Sequence, residues 1–400
     1  MPPSIPRDDL RGAARLATSG TLGVTRIVEA MHARIRRPPG LAGPADGKTG
    51  GLTGLVYGSV RGVTRLVGGS LDALLALLPE AVAQAPRRPS HDALVAALNG
   101  VLGDHLAATG NPLATPMQLA HDGAPLALTR AALKARFPEP SAGLLVLVHG
   151  LCMNGRLWRR KGHDHGEFLA QALGLTPLYL TYNTGLPVAE NGRQFAALMA
   201  QLLRAWPHRA PRVVILAHSM GGLVSRSAFH QAGRAAWTRR VSDFVSLGTP
   251  HLGAPLEKAG AGIDLLLGAA PYAAPLARLG KVRSRGITDL RHGLPPEVGL
   301  PDGPGGPRCW AMAGAIGQEA SCLPPRLLGD GLVRVASGLG QHADPARHLP
   351  YPAERRWVAQ GVGHLDLLSS RAVARRLLEW LGETPLSAPA ARTRRRPSAG

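Results

Sequence analysis

A single serine stands between an apolar run and two glycines in "LAHSMGGLVSRSA", residues 216–228. The run before it, "RVVILAHS", is rich in β-branched and aliphatic residues and predicts a buried strand ending at Ser219. The stretch after it, "GGLVSRSAFHQAG", predicts a helix. A strand that turns at once into a helix strains the turning residue and needs small neighbours, and Ala217, Gly221 and Gly222 supply them. The serine is thereby pushed out at a helix N-terminus. A serine hydroxyl is a poor nucleophile at neutral pH; it needs a base for its proton and an acid to hold that base's tautomer. "GDGLVRVASG" offers Asp330 after a predicted strand and loop, and "GVGHLDLL" offers His364 directly after a strand. The three come in the order serine, acid, histidine, at strand ends where open α/β sheets build their sites. An oxyanion would need backbone donors; the candidates are the amides of Met220, next after the serine, and of Leu151 in "VLVHGLCMN".

Other residues compete for these roles. Asp366 lies two residues from the histidine and is the rival acid, although a side chain so close in sequence seldom orients the ring from behind. His218 precedes the serine, and its ring is expected to point away from substrate, in a packing or hydrogen-bonding role. His251 in "GTPHLGAP" falls at a strand end, either as loop structure or as pocket lining. The "HDH" at 163–165 suggests a metal, but three adjacent residues on a helix or strand do not converge on one ion. Cys152 follows the oxyanion strand without an elbow or a base of its own.

The elements that must position these residues are legible by period. "MQLAHDGAPLAL" predicts a hairpin through its Asp-Gly turn. "GLLVLVHG", "TPLYLTYN", "RVVILAHS", "DFVSLGTP", "CWAMAGA" and "RRWVAQGVG" predict strands. Between them, "EFLAQALG" and the series Phe195, Leu198, Met199, Leu202, Leu203, Trp206 predict helices, and "SRAVARRLLEWLG" closes the unit near residue 382. Alternating strands and helices imply a parallel sheet covered on both faces.

Residues 1–112 carry helical patterns instead. Leu52, Leu55, Val56, Val63, Leu66, Val67, Leu74, Leu75 and Leu78 share one helical face, with Arg61, Arg65 and Asp72 opposite. Gly51, Gly54, Gly58 and Gly62 form a second stripe, which in a continuous helix calls for a close neighbour. Such a helix either packs on the rest of the protein or lies on a membrane surface; its charges argue against a span. Residues 113–383 form the predicted catalytic unit. The apolar, proline-containing segment 252–300 is either a lid or extra core helices. Residues 384–400, with Arg392, Arg394, Arg395 and Arg396, form a basic tail predicted to be disordered.

The formal charge is +20, nearly all of it arginine, but no basic–aromatic interleaving or nucleic-acid motif accompanies it, so nucleic acid is not an expected partner. Three cysteines, Cys152, Cys309 and Cys322, do not make a disulfide framework, although Cys309 with Cys322 is one pairing. With no signal-like apolar core near the N-terminus, the cytoplasm is the expected compartment, with peripheral membrane contact in addition.

Together, "LVLVHGLCMN", "LAHSMGGLVSRS", "SLGTPHLGAP" and "GDGLV" resemble the α/β-hydrolase lipases and esterases, and within them the branch of bacterial lipases and GPI inositol-deacylase-like proteins, over roughly residues 143–370. Ala217 departs from the usual first glycine of the elbow. The resemblance implies an α/β-hydrolase fold, mostly parallel, here with an N-terminal helical extension. It implies Ser219 as nucleophile, His364 as base and Asp330 as acid, no metal or organic cofactor, and a small-molecule or lipid ester as substrate. The resulting expectation is a serine ester hydrolase for carboxylic esters with apolar acyl chains. An acyltransferase or thioesterase on the same triad, or a noncatalytic binding module, is the alternative.

Overall fold

From residue 118 the chain alternates strands and helices, and the strands lie in one eight-stranded sheet. The computed structural model describes residues 5–35, 48–78, 89–208, 212–254, 284–302, 305–316 and 329–382. The tail at 384–400, Cys322 with its pairing to Cys309, and residues 255–283 of the expected lid lie outside the described residues.

In chain order the strands are β1 (Gln118–His121), β2 (Ala124–Pro125), β3 (Gly143–Val148), β4 (Leu175–Thr181), β5 (Arg212–His218), β6 (Val241–Leu247), β7 (Arg308–Ala315) and β8 (Arg356–Gln360). In space they run β2-β1-β4-β3-β5-β6-β7-β8. From β4 to β8 all neighbours are parallel, while β1 is antiparallel to β2 and β4. The β1–β2 turn uses Asp122 and Gly123, both at positive φ (49° and 74°), as its Asp-Gly signal predicts.

The helices are α1 (Arg7–Ile35), α2 (Gly51–Ala76), α3 (Pro89–Ala108), α4 (Arg130–Arg136), α5 (His165–Leu173), α6 (Val188–Ala205), α7 (Met220–Ala232), α8 (Arg285–His292), α9 (Val335–Gly338) and α10 (Arg371–Gly382). Alternate residues of β3 feed two cores. Leu144, Val146 and Val148 join Phe195, Met199 and Leu202 of α6 and Leu223 and Val224 of α7. Leu145 and Leu147 join Leu169 of α5 and Val373, Leu377 and Leu381 of α10. Every β3 residue is therefore buried, which is why the strand reads as an unbroken apolar run.

The parallel register brings the strand ends level. Val148 pairs with Ala217, His218 with Leu247, and Leu247 with Met312. Whatever follows β3, β5, β6 and β7 is delivered to one edge of the sheet.

The three N-terminal helices among the described residues behave differently. Helix α3 buries nine residues, and its Ala93 and Ala97 join the main core. Helix α1 is tied to the segment after α3, where Asn111 Nδ2 donates to Gly12 O (3.0 Å). Helix α2 runs along α1 and buries none of its residues; its packing among the described residues is on α1. The glycine stripe differs from expectation. Gly58 and Gly62 face open space, and α1 approaches α2 closely at Gly68 instead, where a Cβ would lie 2.4 Å from Thr18 Oγ1.

Candidate active site

Ser219 sits between the last residue of β5 and the first of α7, at φ 54° and ψ −124°. Such a conformation costs on the order of 1–3 kcal/mol in a non-glycine residue and persists only where neighbours hold it. Here they do. Ser219 N donates to Leu247 O (2.8 Å), continuing the β5–β6 ladder past its end. A Cβ on Gly221 would lie 2.3 Å from Val148 O, and one on Gly222 would lie 2.1 Å from Thr249 Oγ1, so only glycine lets α7 start this close to β3 and β6.

Asp330 and His364 are joined directly: His364 Nδ1–H donates to Asp330 Oδ2 at 2.7 Å, with both side chains buried. The other carboxylate oxygen, Oδ1, accepts from Leu332 N (3.0 Å) and Val333 N (2.8 Å). A main-chain bond, His364 N to Asp330 O (2.9 Å), ties the two loops together. The acid is thus held by donors on each oxygen, which fixes the histidine's Nδ1 as the protonated nitrogen and leaves Nε2 as the acceptor. That Nε2 is buried and makes no hydrogen bond within the protein.

No hydrogen bond joins Ser219 to His364; the two meet through shared neighbours. His218, next to the serine, donates from Nε2 to His364 O (3.1 Å), and the two rings lie 4.7 Å apart. Burial, and then the nearby His364, push His218 far below the usual histidine range, so it is a neutral strut. Gly248, after β6, supports the pair from beneath. It has φ 56°, and a Cβ there would lie 3.0 Å from Asp330 Oδ2 and 3.2 Å from His364 Nδ1. Sequence reasoning did not single out Gly248; its only signal is a glycine directly after a strand.

The loop after β3 leans on the serine, since a Cβ on Gly150 would lie 2.9 Å from Ser219 Cβ. Leu151 follows it and is buried, as is Met220 at the first position of α7. His149 and Tyr182 lock this loop: the rings stack at 4.5 Å and Tyr182 Oη donates to His149 O (2.8 Å). Burial pushes His149 down to about 4, so it too is neutral. Tyr182 was legible only as the end of a strand.

The rival residues go elsewhere. Asp366 is partly exposed and accepts from Lys161 Nζ (2.7 Å), away from the ring of His364. His163 and His165 hydrogen-bond each other (2.8 Å), and Asp164 caps α5; among the described residues no group of three such side chains could hold a metal. Burial pushes the Cys152 thiol up to about 12, which keeps it protonated and unreactive. His251 is structural: Arg226 Nη1 donates to its Nδ1, leaving Nε2–H for Ser246 Oγ and Tyr351 Oη, each contact 3.2 Å. A groove of about 760 Å³ lined by Arg234, Arg239 and Leu300 lies at the far end of α7 and is not part of this site.

Helix α3 reaches the site, which its sequence did not disclose. A Cβ on Gly100 would lie 2.2 Å from Cys152 Sγ, and Gly103 O accepts from Asn183 Nδ2 (2.8 Å). Ser284 Oγ, at the start of α8, donates to Gly100 O (2.6 Å), and Cys152 N donates to Thr184 Oγ1 (3.2 Å). Helix α3, the loop at 183–186 and α8 therefore brace the loop that carries Leu151. Deleting residues 1–110 is expected to give insoluble or aggregating protein, because losing α3 uncovers the main-core surface that Ala93 and Ala97 pack against. A soluble, monodisperse truncation with full ester-hydrolysing activity would contradict this.

The sheet order, the antiparallel β1, and a strained serine turn after β5 with a paired Asp330 and His364 beside it decide the architecture. The fold is that of the α/β hydrolases. Residues 143–269 match the PGAP1-like alpha/beta domain family, a span that holds the serine turn but not Asp330 or His364. Among curated proteins, none matches this sequence. Solved structures similar to this chain include the mature lipase BlEst2 of Bacillus licheniformis, at 18% identity, covering 61% of this chain and 94% of that one, TM-score 0.41. A monoglyceride lipase of Saccharomyces cerevisiae is similar at 14% identity over 61% of this chain and 85% of that one, TM-score 0.39. An esterase of Pyrococcus furiosus is similar at 17% identity over 61% and 81%, TM-score 0.39.

Proposed function

We propose that this α/β hydrolase is a serine ester hydrolase acting on carboxylic esters with apolar acyl chains. The observation that carries the reading is the buried 2.7 Å bond from His364 to Asp330 beside a serine held in a strained strand-to-helix turn. Ser219 Oγ attacks the ester carbonyl carbon while His364 Nε2 takes its proton. Asp330 stabilises the imidazolium that forms. The amides of Leu151 and Met220 donate to the oxyanion of the tetrahedral intermediate. Collapse expels the alcohol, which receives the proton from His364. Water, deprotonated by the same nitrogen, then attacks the acyl-enzyme, and the acid leaves as Ser219 regains its proton.

An apolar acyl chain suits the surroundings. Leu151 and Met220 belong to the same apolar cluster as Val188, Ile287 and Leu290, the last two from α8. In a series of p-nitrophenyl esters, kcat/KM is expected to rise with acyl length by roughly 0.8 kcal/mol per buried methylene until the site is filled. A maximum at acetate would overturn the apolar part of the reading. Such esters occur in lipid, which fits peripheral membrane contact, and a cytoplasmic setting keeps the buried Cys152 thiol reduced.

A further inference from the structure

The hairpin of α1 and α2 turns its charges inward and its apolar side chains outward. Asp72 of α2 accepts from Arg11 Nε (3.0 Å) and Arg15 Nη2 (2.7 Å) of α1, and these two guanidiniums hold its carboxyl down to about 2. Arg61 of α2 pairs with Glu29 of α1, and His32 meets Tyr57 Oη at 2.6 Å. The polar side of α2 is thereby occupied within the hairpin.

The opposite side has no cover. Leu52, Leu66 and Leu74 are 81%, 71% and 64% exposed, and Leu55, Val56, Val60, Val63, Val67 and Leu71 are exposed beside them. At 100° per residue these positions fall within an arc of about 160°, along a helix of about 39 Å. Thr53, Ser59 and Ser70 interrupt the arc, and no charged residue falls in it. Exposed Val24, Ile27, Val28 and Met31 of α1 add to the same hairpin. Single exposed apolar residues are ordinary; a continuous face of this size is not.

We propose that the outer face of α2 docks the protein onto an anionic lipid surface, lying in the headgroup–acyl boundary. Three observations select lipid as the occupant. Among the described residues no helix is long and apolar enough to cross a membrane, so the face would lie along a bilayer rather than span it. The face offers almost nothing for a folded partner to recognise by hydrogen bonding, and an acyl phase requires only apolar volume, since a helix satisfies its backbone internally. The charge is complementary as well: residues 1–78 hold ten arginines and lysines against five acids. The acids Asp8, Glu29 and Asp72 are paired with arginines of the hairpin, so none of the three is left to repel anionic headgroups. Docking needs no chemistry at Ser219, so it stands or falls apart from the ester-hydrolase reading.

The test uses the full chain carrying Ser219→Ala, so that lipid is not turned over, in vesicle flotation and gel filtration. The expected result is co-flotation with phosphatidylcholine–phosphatidylserine vesicles, weaker flotation with phosphatidylcholine alone, and a monomer in solution. Adding Leu55→Glu, Val63→Glu and Leu66→Glu together should lower the floated fraction by roughly tenfold. All three positions are exposed and glutamate favours helix, so the circular dichroism spectrum should not change. The same triple change on an intact Ser219 should leave hydrolysis of a short soluble ester unchanged. Equal flotation of the triple variant and its parent would overturn the proposal. So would a parent dimer that the triple variant splits, which would make the face an interface between copies of this chain.

Discussion

Replacing Ser219 by alanine is expected to lower ester hydrolysis by roughly 10⁶-fold, to the residual rate that oxyanion donors and binding alone support. The expectation rests on the turn geometry. Ser219 is the residue at φ 54° and ψ −124° between β5 and α7, and the glycines around it admit no larger neighbours. Alanine carries the same Cβ, and the substitution removes one oxygen while keeping the Ser219 N to Leu247 O bond. The melting temperature should therefore match that of the parent. Kinetics with a p-nitrophenyl ester, together with thermal unfolding, checks both halves. A variant that keeps most of its turnover would remove Ser219 from its role.

Asp330→Asn is the second large effect, with kcat expected to fall by about 10⁴-fold. Asparagine keeps the size but not the charge. One of its two terminal atoms becomes an NH₂, which cannot accept from His364 Nδ1 or from the amides of Leu332 and Val333. Turned one way, its NH₂ faces the amides of Leu332 and Val333; turned the other, it makes His364 Nδ1 the acceptor and moves the ring proton to Nε2; either way the imidazolium of the transition state loses its counter-charge. Asp366→Asn breaks only the partly exposed pair with Lys161, so its rate should stay within a few-fold of the parent. Reversed effects of the two substitutions would exchange their roles.

The sheet was legible because its strands are covered on both faces. β3 and β5 carry apolar residues at consecutive positions, which only such burial accounts for. The Asp-Gly turn after β1 and the two glycines after Ser219 were readable for a related reason, since each marks a backbone conformation or a close approach that few other residues allow. What stayed hidden depends on contacts between distant segments. Gly248 looks like any glycine after a strand until the Asp330–His364 pair is seen resting on it. The sequence offered Asp330 and Asp366 as acids, and only the third dimension sends one to His364 and the other to Lys161.

The N-terminal helices show the same limit. Periodicity revealed that α2 has an apolar face, but not that its charged face would be taken up by Arg11, Arg15 and Glu29 of α1, leaving the apolar one outward. Helix α3 mixes small and apolar residues around its circumference because it is wedged between the main core, Cys152 and Asn183. A single-face pattern therefore never develops, and its place beside the active site could not be read from period.

The central claim is that Ser219 is a nucleophile activated by His364. Its most direct test is to react the native protein with a fluorophosphonate and locate the adduct by peptide mass spectrometry. The account predicts one adduct per chain, on the peptide containing Ser219, and none in a protein carrying His364→Ala. An adduct on another residue, or labelling of Ser219 at the same rate without His364, would contradict it.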